Sequence, residues 1–318
     1  MSEAKTPVLC VAGPTASGKS ALALRLARAL GGEIISMDSM QLYRGMDVGT
    51  AKPTPAERAL VPHHMIDILE PTESFSVAQY AVRTEAILRD VWARGHMPLL
   101  VGGTGFYLRA LTDGLTLGGA PSDERVRARL KAEAAEPGGK ERLHVRLRAV
   151  DEPSAQKLHP NDVQRVCRAL EVYELTGQPI SRQEKPRQER PFTFCLLGVT
   201  RERAALYERC DRRVDEMMAA GLPDEVAGLL LRGVPASAQA MQGIGYKELV
   251  PALNGELPME EAVRLLKQNT RHYAKRQWTW FRAEERIQWL DMAEAGSVDR
   301  ALRIAEQFCK EQESGRNE

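Results

Sequence analysis

The chain has little of several things, and each shortage excludes a class. Aromatic residues make up only 5% of its 318 residues, and no apolar run approaches the ~20 residues that a membrane-spanning helix needs. No membrane partner is therefore expected. Net charge is almost absent, with 44 Lys and Arg against 43 Asp and Glu for a formal +1, which excludes histone-like or polybasic binding. The five cysteines, Cys10, Cys167, Cys195, Cys210 and Cys309, are scattered and form no C-x-x-C. A disulfide scaffold or a cysteine zinc site is not expected, and a reduced cytoplasm fits. The N-terminus has Glu3 and Lys5 early, and Val8 to Gly13 is too short for a signal-peptide core. No internal repeat or low-complexity tract occurs.

What remains is ordinary globular composition, 43% hydrophobic and 27% charged, long enough for one large domain or two smaller ones. Two periods alternate in the first hundred residues. Val8 to Ala12, Glu33 to Met37 and Pro98 to Val101 are short apolar runs ending at Gly13, Asp38 and Gly102, as buried strands do. Between them, Ser20 to Leu30 and Ser76 to Arg94 carry apolar residues at helical spacing. Strands alternating with helices predict a parallel sheet covered on both faces. Ligands of such sheets bind beyond the strands' carboxyl ends, where the three terminating residues fall. The character changes near Gly118: residues 119–191 read as a helical insertion. The α/β core then comprises 1–118 and 192–318, with further strands at Phe192 to Val199 and Arg286 to Leu290 and a final helix near Val298 to Gln312.

Gly13-Pro14-Thr15-Ala16-Ser17-Gly18-Lys19-Ser20 fits G-x-x-x-x-G-K-[ST]. Such a loop closes around a phosphate with inward backbone amides, Lys19 adds a point charge, and Ser20 can place a hydroxyl on Mg²⁺. The following helix adds its positive end. A P-loop identifies a di- or triphosphate, not the reaction. Many such proteins hold Mg²⁺ with an aspartate ending a neighbouring strand. Here that strand ends in Gly102-Gly103-Thr104-Gly105, which weakens an ATPase reading. Thr104 is either a helix N-cap, a phosphate contact or both. Asp38 has three competing roles: turn residue, Mg²⁺ ligand, or base facing the reactive site.

Taken together, Gly13–Ser20, Asp38-Ser39-Met40-Gln41-Leu42-Tyr43, Gly49-Thr50-Ala51-Lys52-Pro53 and Gly102–Gly105 closely resemble the bacterial tRNA dimethylallyltransferases, or tRNA isopentenyltransferases. The likeness continues through His63–Asp67, Gln164–Glu171, Gly243–Glu248 and Thr270–Gln277, over nearly the whole chain up to about Leu290. The resemblance implies an α/β fold, a P-loop nucleoside-triphosphate-hydrolase-like parallel sheet with a helical insertion domain. It implies transfer of a dimethylallyl group from dimethylallyl diphosphate to the exocyclic amine of the adenosine 3′-adjacent to the anticodon. The P-loop, Gly13, Pro14, Thr15, Ala16, Ser17, Gly18, Lys19 and Ser20, would then hold a diphosphate leaving group with Mg²⁺ on Ser20. Asp38 would take the proton from adenine, and Thr104 would stabilise the leaving charge. The family suggests that an arginine of Leu206 to Met218 reaches the diphosphate. Arg209 and Arg213, four apart, share a face there, and the sequence does not choose between them. The adenosine must flip out of its stack.

Arg264 to Arg282 contains six cations, no acid and the rings Tyr273, Trp278, Trp280 and Phe281. That leaves −5 for the rest of the chain. Cations with interleaved rings suit an RNA-loop reader; an amphipathic helix that buries its aromatics, Trp278 and Phe281 among them, and solvates its charges is the plainer alternative. By resemblance the anticodon stem-loop meets Asp38, Ser39, Met40, Gln41, Gln164, Arg165, Arg168, Gly243, Ile244, Gly245, Tyr246, Lys247, Lys275, Arg276, Trp278, Phe281 and Arg282. A monomer is expected. The adjacent His63 and His64 lack further ligand spacing and are a weak metal signal. A small-molecule P-loop kinase, a prenyltransferase acting on free AMP and a non-catalytic RNA-binding regulator are the competing functions. The long insertion and basic aromatic segment argue against a small acceptor. The pairing of Lys19 with Asp38 argues against a regulator.

Overall fold

The computed structural model describes residues 5–113, 122–182 and 191–314. The chain divides into two compact units, Met1–Asp113 with Glu189–Glu318, and Gly114–Gln188. The boundary expected at 118/119 lies outside the described residues.

In chain order the first unit begins with β1 (Thr6–Ala12), α1 (Lys19–Ala29), β2 (Gly32–Met37), α2 (Pro55–Leu60), β3 (His63–His64), α3 (Val77–Ala93), β4 (Met97–Gly102) and α4 (Gly105–Thr112). The second unit holds α5 (Glu124–Ala135), α6 (Gly139–Val150), α7 (Glu152–Lys157) and α8 (Val163–Thr176). The first unit then resumes with β5 (Phe192–Thr200), α9 (Arg203–Ala219), α10 (Leu222–Leu231), α11 (Tyr246–Leu253), α12 (Met259–Arg282), β6 (Gln288–Asp291) and α13 (Ser297–Ser314).

The six strands form one parallel sheet in the order β3-β2-β4-β1-β5-β6. The strands are continuous apolar runs because both faces are covered. On one face Leu22 and Leu26 of α1 and Ala301 and Ala305 of α13 pack on Leu9, Val11, Leu99 and Leu197. The C-terminal segment is thus core and not an appendage. On α3, Tyr80 is buried, stacks on Tyr107 with centroids 3.7 Å apart, and donates its hydroxyl to Ser36 O of β2 at 3.0 Å. The two-residue β3 was missed in the sequence because two polar histidines carry no apolar run.

The second unit closes around Leu130, Leu143, Leu147, Val166, Cys167 and Leu170. Its polar anchor is Glu171, fully buried, which accepts from Arg127, Arg168 and the Asp123 N–H.

Helix starts differ in a way that prepares the site. α2 and α3 open with complete capping boxes, Thr54 with Glu57 and Ser76 with Gln79. α1 and α4, which begin at the sheet's carboxyl edge, have no side-chain cap at Gly18 or Thr104. Their first amides are left to a ligand.

Candidate active site

The P-loop turn is forced where β1 ends. Gly13 has φ 144°, and a Cβ there would lie 2.3 Å from Val199 O on β5, so no larger residue fits. The loop is then fastened from outside. Arg201 Nε donates to Ser17 O at 3.2 Å and Arg209 Nε to Ala16 O at 2.8 Å. Arg213 Nη1 donates to Thr15 Oγ1 at 3.3 Å. Lys19 Nζ folds back onto Pro14 O at 2.5 Å.

Not every loop amide turns inward. The Thr15 N–H donates to Gln277 Oε1 at 2.8 Å, while Gln277 Nε2 donates to Gly103 O at 2.9 Å. This buried carboxamide on α12 joins the P-loop to the Gly102–Gly105 turn. Gly103 must be glycine for the same reason, since a Cβ would lie 2.1 Å from Gln277 Nε2.

The turn also docks on β2, with Thr104 N donating to Met37 O at 3.2 Å. That brings it beside Asp38. Asp38 Oδ1 accepts from Met40 N at 2.8 Å and from Gln41 N at 3.4 Å. Oδ2 has no hydrogen-bond partner among the described residues. The turn role and the reactive role, left as alternatives by the sequence, are therefore compatible: one oxygen serves each.

These elements surround a cavity of about 410 Å³, lined by Thr15, Lys19, Ser20, Asp38 to Gln41, Gly102, Gly103, Arg213, Tyr273, Arg276, Gln277 and the 242–244 turn with Lys247. Burial, and then Arg213, push the Lys19 ammonium down to about 7, with Asp38 opposing. Burial likewise lowers Arg213, again opposed by Asp38. Two cations held at a cost in a confined space make an anion site. Ser17 Oγ and Thr104 Oγ1 are buried with no hydrogen-bond partner. An unpartnered buried hydroxyl costs about 1–3 kcal/mol, which a ligand oxygen would recover. Thr104 makes no side-chain cap, so its hydroxyl is not spent on the helix N-terminus.

The chain as a whole matches known families. A family model described as IPP transferase matches residues 41–284, and one described as isopentenyl transferase matches residues 6–62.

The chain belongs to the IPP transferase family.

Among its relatives, the tRNA dimethylallyltransferase of Symbiobacterium thermophilum is 52% identical over 93% of each chain. That of Geobacter metallireducens is 50% identical over 91% of this chain and 94% of its own. The solved full-length tRNA isopentenylpyrophosphate transferase of Bacillus halodurans is 40% identical, with TM-score 0.74 over 99% of this chain and 100% of that one. A solved eukaryotic dimethylallyltransferase acting on tRNA has TM-score 0.79 at 28% identity, over 96% of this chain and 80% of that one.

Within this IPP transferase, the two arginines left open by the sequence separate. Arg213 lines the cavity with Lys19 and Asp38 and also borders a second cavity of about 1050 Å³, whereas Arg209 clamps the Ala16 carbonyl and lines the second cavity but not the first. Of the P-loop, Thr15, Lys19 and Ser20 line the first cavity, and Gly13, Pro14, Ala16, Ser17 and Gly18 supply the backbone around it. Ser20 and Asp38 both line it and carry oxygens suited to a cation. Among the described residues no group of three or more His, Cys, Asp or Glu is placed to hold a metal. That donor set fits Mg²⁺, which takes most of its oxygens from phosphate and water.

The residues expected to meet RNA differ in their exposure. Phe281 is fully buried, because it falls in register with Thr270, Ala274 and Gln277 on the inner face of α12. Tyr246 is also fully buried, its hydroxyl donating to Glu225 Oε1 at 2.6 Å. Arg168 donates to Glu171 at 2.8 Å, while Gln164 and Arg165 are exposed on α8 of the second unit. The six-cation segment is half neutralised. Arg264 pairs with Glu261, Lys267 with Asp215 and Arg271 with Asp211. Lys275, Arg276 and Arg282 have no carboxylate partner among the described residues. Arg276 lies over Tyr273 and Arg282 over Trp278, which is 37% exposed. Ile244 is half-buried and Lys247 exposed at the start of α11, with Gly243 packed on Met40. Ser39, Met40 and Gln41 stay at the cavity wall.

Sequence reasoning gave Gln277 no role and named Trp280 only among the rings of the basic segment. Gln277 was a polar residue within the apolar phase of α12, a signal available in the helical register. Trp280 is 39% exposed, seated on Gly105 and edge-on to the exposed Phe106 at 6.4 Å.

No helix among the described residues is long and apolar enough to cross a membrane.

Proposed function

We propose that this chain transfers a dimethylallyl group from dimethylallyl diphosphate to the exocyclic amine of the adenosine 3′-adjacent to the anticodon in tRNA, acting as a monomer in the cytoplasm. The observation that carries this reading is the composition of one cavity. A phosphate-binding loop faces a carboxylate with one unengaged oxygen, while β4 ends in glycine where a nucleotide hydrolase would often keep an aspartate.

In the reaction, the adenine N6 forms a bond to the allylic C1, and the C1–O bond to diphosphate breaks with its electron pair going to oxygen. The N6 proton passes to Asp38 Oδ2. Adenine's amine is a poor nucleophile because its lone pair is conjugated, so a carboxylate that accepts its N–H both orients it and removes the proton. Met40 N and Gln41 N hold Oδ1, which fixes the direction of Oδ2. Lys19 and Arg213 bind the diphosphate and stabilise the charge that grows on it. Thr104 Oγ1, next to the Gly102–Gly103 turn that lines the cavity, would donate to its oxygens. Ser20, with Asp38 nearby, would hold Mg²⁺, which supplies neutralising charge to the diphosphate. Gln41, Met40 and the 243–247 turn bound the side of the cavity that receives the flipped base. Lys275, Arg276 and Arg282 supply phosphate contacts, Trp278 a stacking face, and Gln164 and Arg165 contacts from the second unit.

Incubation with dimethylallyl diphosphate and an anticodon stem-loop should add the mass of one prenyl group to the RNA. Hydrolysis of ATP, prenylation of free AMP without prenylation of RNA, or RNA binding with no turnover would each replace this reading by its corresponding rival.

A further inference from the structure

Gly49, Thr50 and Ala51, in the irregular stretch 46–52, line the cavity, and the fastening of that stretch lies outside it. Three consecutive amides donate to one side chain: Asp47 N and Val48 N to Glu225 Oε2 at 2.7 and 2.8 Å, and Gly49 N to Oε1 at 3.0 Å. Glu225 sits in the first turn of α10, more than 170 residues away in sequence. The same Oε1 accepts from the Tyr246 hydroxyl at 2.6 Å. Tyr246 packs so closely on Gly49 that a Cβ there would lie 2.6 Å from its ring, so the ring and carboxylate grip the same peptide from two sides. Burial, reinforced by Glu225, pushes the Tyr246 phenol well up and keeps it a donor.

The grip continues toward the reacting groups. Past Gly49, the carbonyls of Thr50 and Ala51 accept from Gln41 Nε2 at 3.3 and 3.4 Å. Gln41 Oε1 accepts from Ser36 Oγ at 2.8 Å, and Gln41 N donates to Asp38 Oδ1. A continuous chain of contacts therefore runs from Glu225 through residues 47–51 to Gln41 and Asp38. The P-loop is held separately, by Arg201, Arg209 and Gln277. Lys52 fastens the far end of the stretch through Asp47, Asp67 and Tyr43 O, and Asp67 N in turn donates to Gln41 O at 3.2 Å.

We propose that Glu225, with Tyr246, is a positioning residue for the acceptor side of the reaction. By holding the amides of 47–49 it sets the orientation of Gln41 and thereby of the Asp38 carboxylate, without touching either substrate. This inference rests on the prenyl-transfer reading. A carboxylate suits the task because it offers two charged acceptors to several amides at once, which a neutral amide cannot.

The test is steady-state kinetics of the full chain and of Glu225→Gln, Tyr246→Phe and the double variant, with dimethylallyl diphosphate and an anticodon stem-loop. Glu225→Gln should lose about tenfold or more in kcat while KM for dimethylallyl diphosphate stays within about twofold. Tyr246→Phe should lose less, and the double variant should lose no more than Glu225→Gln, because both act through one peptide stretch. Folded Glu225→Gln with unchanged kcat, a KM for the diphosphate that rises in step with the loss, or multiplying effects in the double variant would overturn the proposal. Hydrogen exchange at the amides of Asp47, Val48 and Gly49 supplies a second readout. It should accelerate in Glu225→Gln even if the wild-type chain proves to transfer no prenyl group, in which case the functional reading fails and the grip on the loop stands. Unchanged exchange refutes the grip itself.

Discussion

The Gln277 side chain takes the N–H of Thr15, 262 residues away, at 2.8 Å. With its other end on Gly103 O, it holds two loops from different strand ends at a fixed spacing. Gln277→Glu keeps the acceptor for Thr15, loses the donor for Gly103 and brings a negative charge to the phosphate side. A buried donor or acceptor left unmatched costs about 1–3 kcal/mol. The KM for dimethylallyl diphosphate should rise by roughly tenfold or more, read from initial rates at saturating RNA. An unchanged KM would show that the two loops keep their spacing without it.

Arg213 and Arg209 lie one turn apart on α9 but serve different atoms. Arg213→Ala removes a cation from the cavity and should lower kcat by about a hundredfold. Arg209→Ala loosens the Ala16 peptide from outside, and a loss of about tenfold or less is expected. Single-turnover rates with both variants check the order; equal losses would contradict it.

At the amino-terminal edge of the sheet, the nearly buried Glu33 joins Arg94, His64 and His96. The hydrogen bond from Arg94 comes first in holding its carboxyl down at about 2, with His64 helping and burial opposing. A carboxyl whose folded value lies below its unfolded one contributes stability above about pH 4.5, and loses it as pH falls toward 2. Glu33→Gln should cost about 2–3 kcal/mol near neutrality, with the gap to wild type closing below pH 4.5. Chemical denaturation across pH measures this; a gap independent of pH would assign the effect to packing.

The basic segment of α12 is only half available. If Lys275 and Arg282 meet RNA phosphates, replacing either by alanine should lower the slope of log affinity against log salt by about one. Arg264→Ala and Arg271→Ala should leave the slope unchanged, since those guanidiniums are already paired. Binding titrations at several salt concentrations separate the two groups.

Much of this architecture is legible in the sequence, and the exceptions have physical causes. β1, β2, β4 and β5 are apolar runs, and the P-loop motif carries its own geometry. Of the two roles open to Phe281 in the sequence, RNA contact and core, its full burial favours the core, which a count of rings without regard to phase does not show. On α12 a step of one residue turns a side chain by about 100°, which sends Trp280 outward and Phe281 in. Tyr246 was given to the RNA by resemblance with the rest of the 243–247 loop, but its partner Glu225 is distant in sequence and leaves no local pattern. The same holds for Lys52, whose carboxylates at Asp47 and Asp67 meet it only after β2 and β3 pair. The Arg209 and Arg213 question was undecidable from spacing, since residues four apart share a face. Only the placement of the P-loop against α9 separates them.

The central claim is that the oxygen of Asp38 left unengaged by Met40 and Gln41 takes the proton of the acceptor amine. Single-turnover transfer to a saturating anticodon stem-loop by Asp38→Asn tests it most directly, with RNA affinity measured on the same preparation. The side-chain oxygen of asparagine preserves the turn but cannot accept a proton. RNA affinity near that of wild type, with transfer slower by about two to four orders of magnitude, is the predicted result. Transfer at the wild-type rate with unchanged affinity would remove Asp38 from the chemistry and contradict the account.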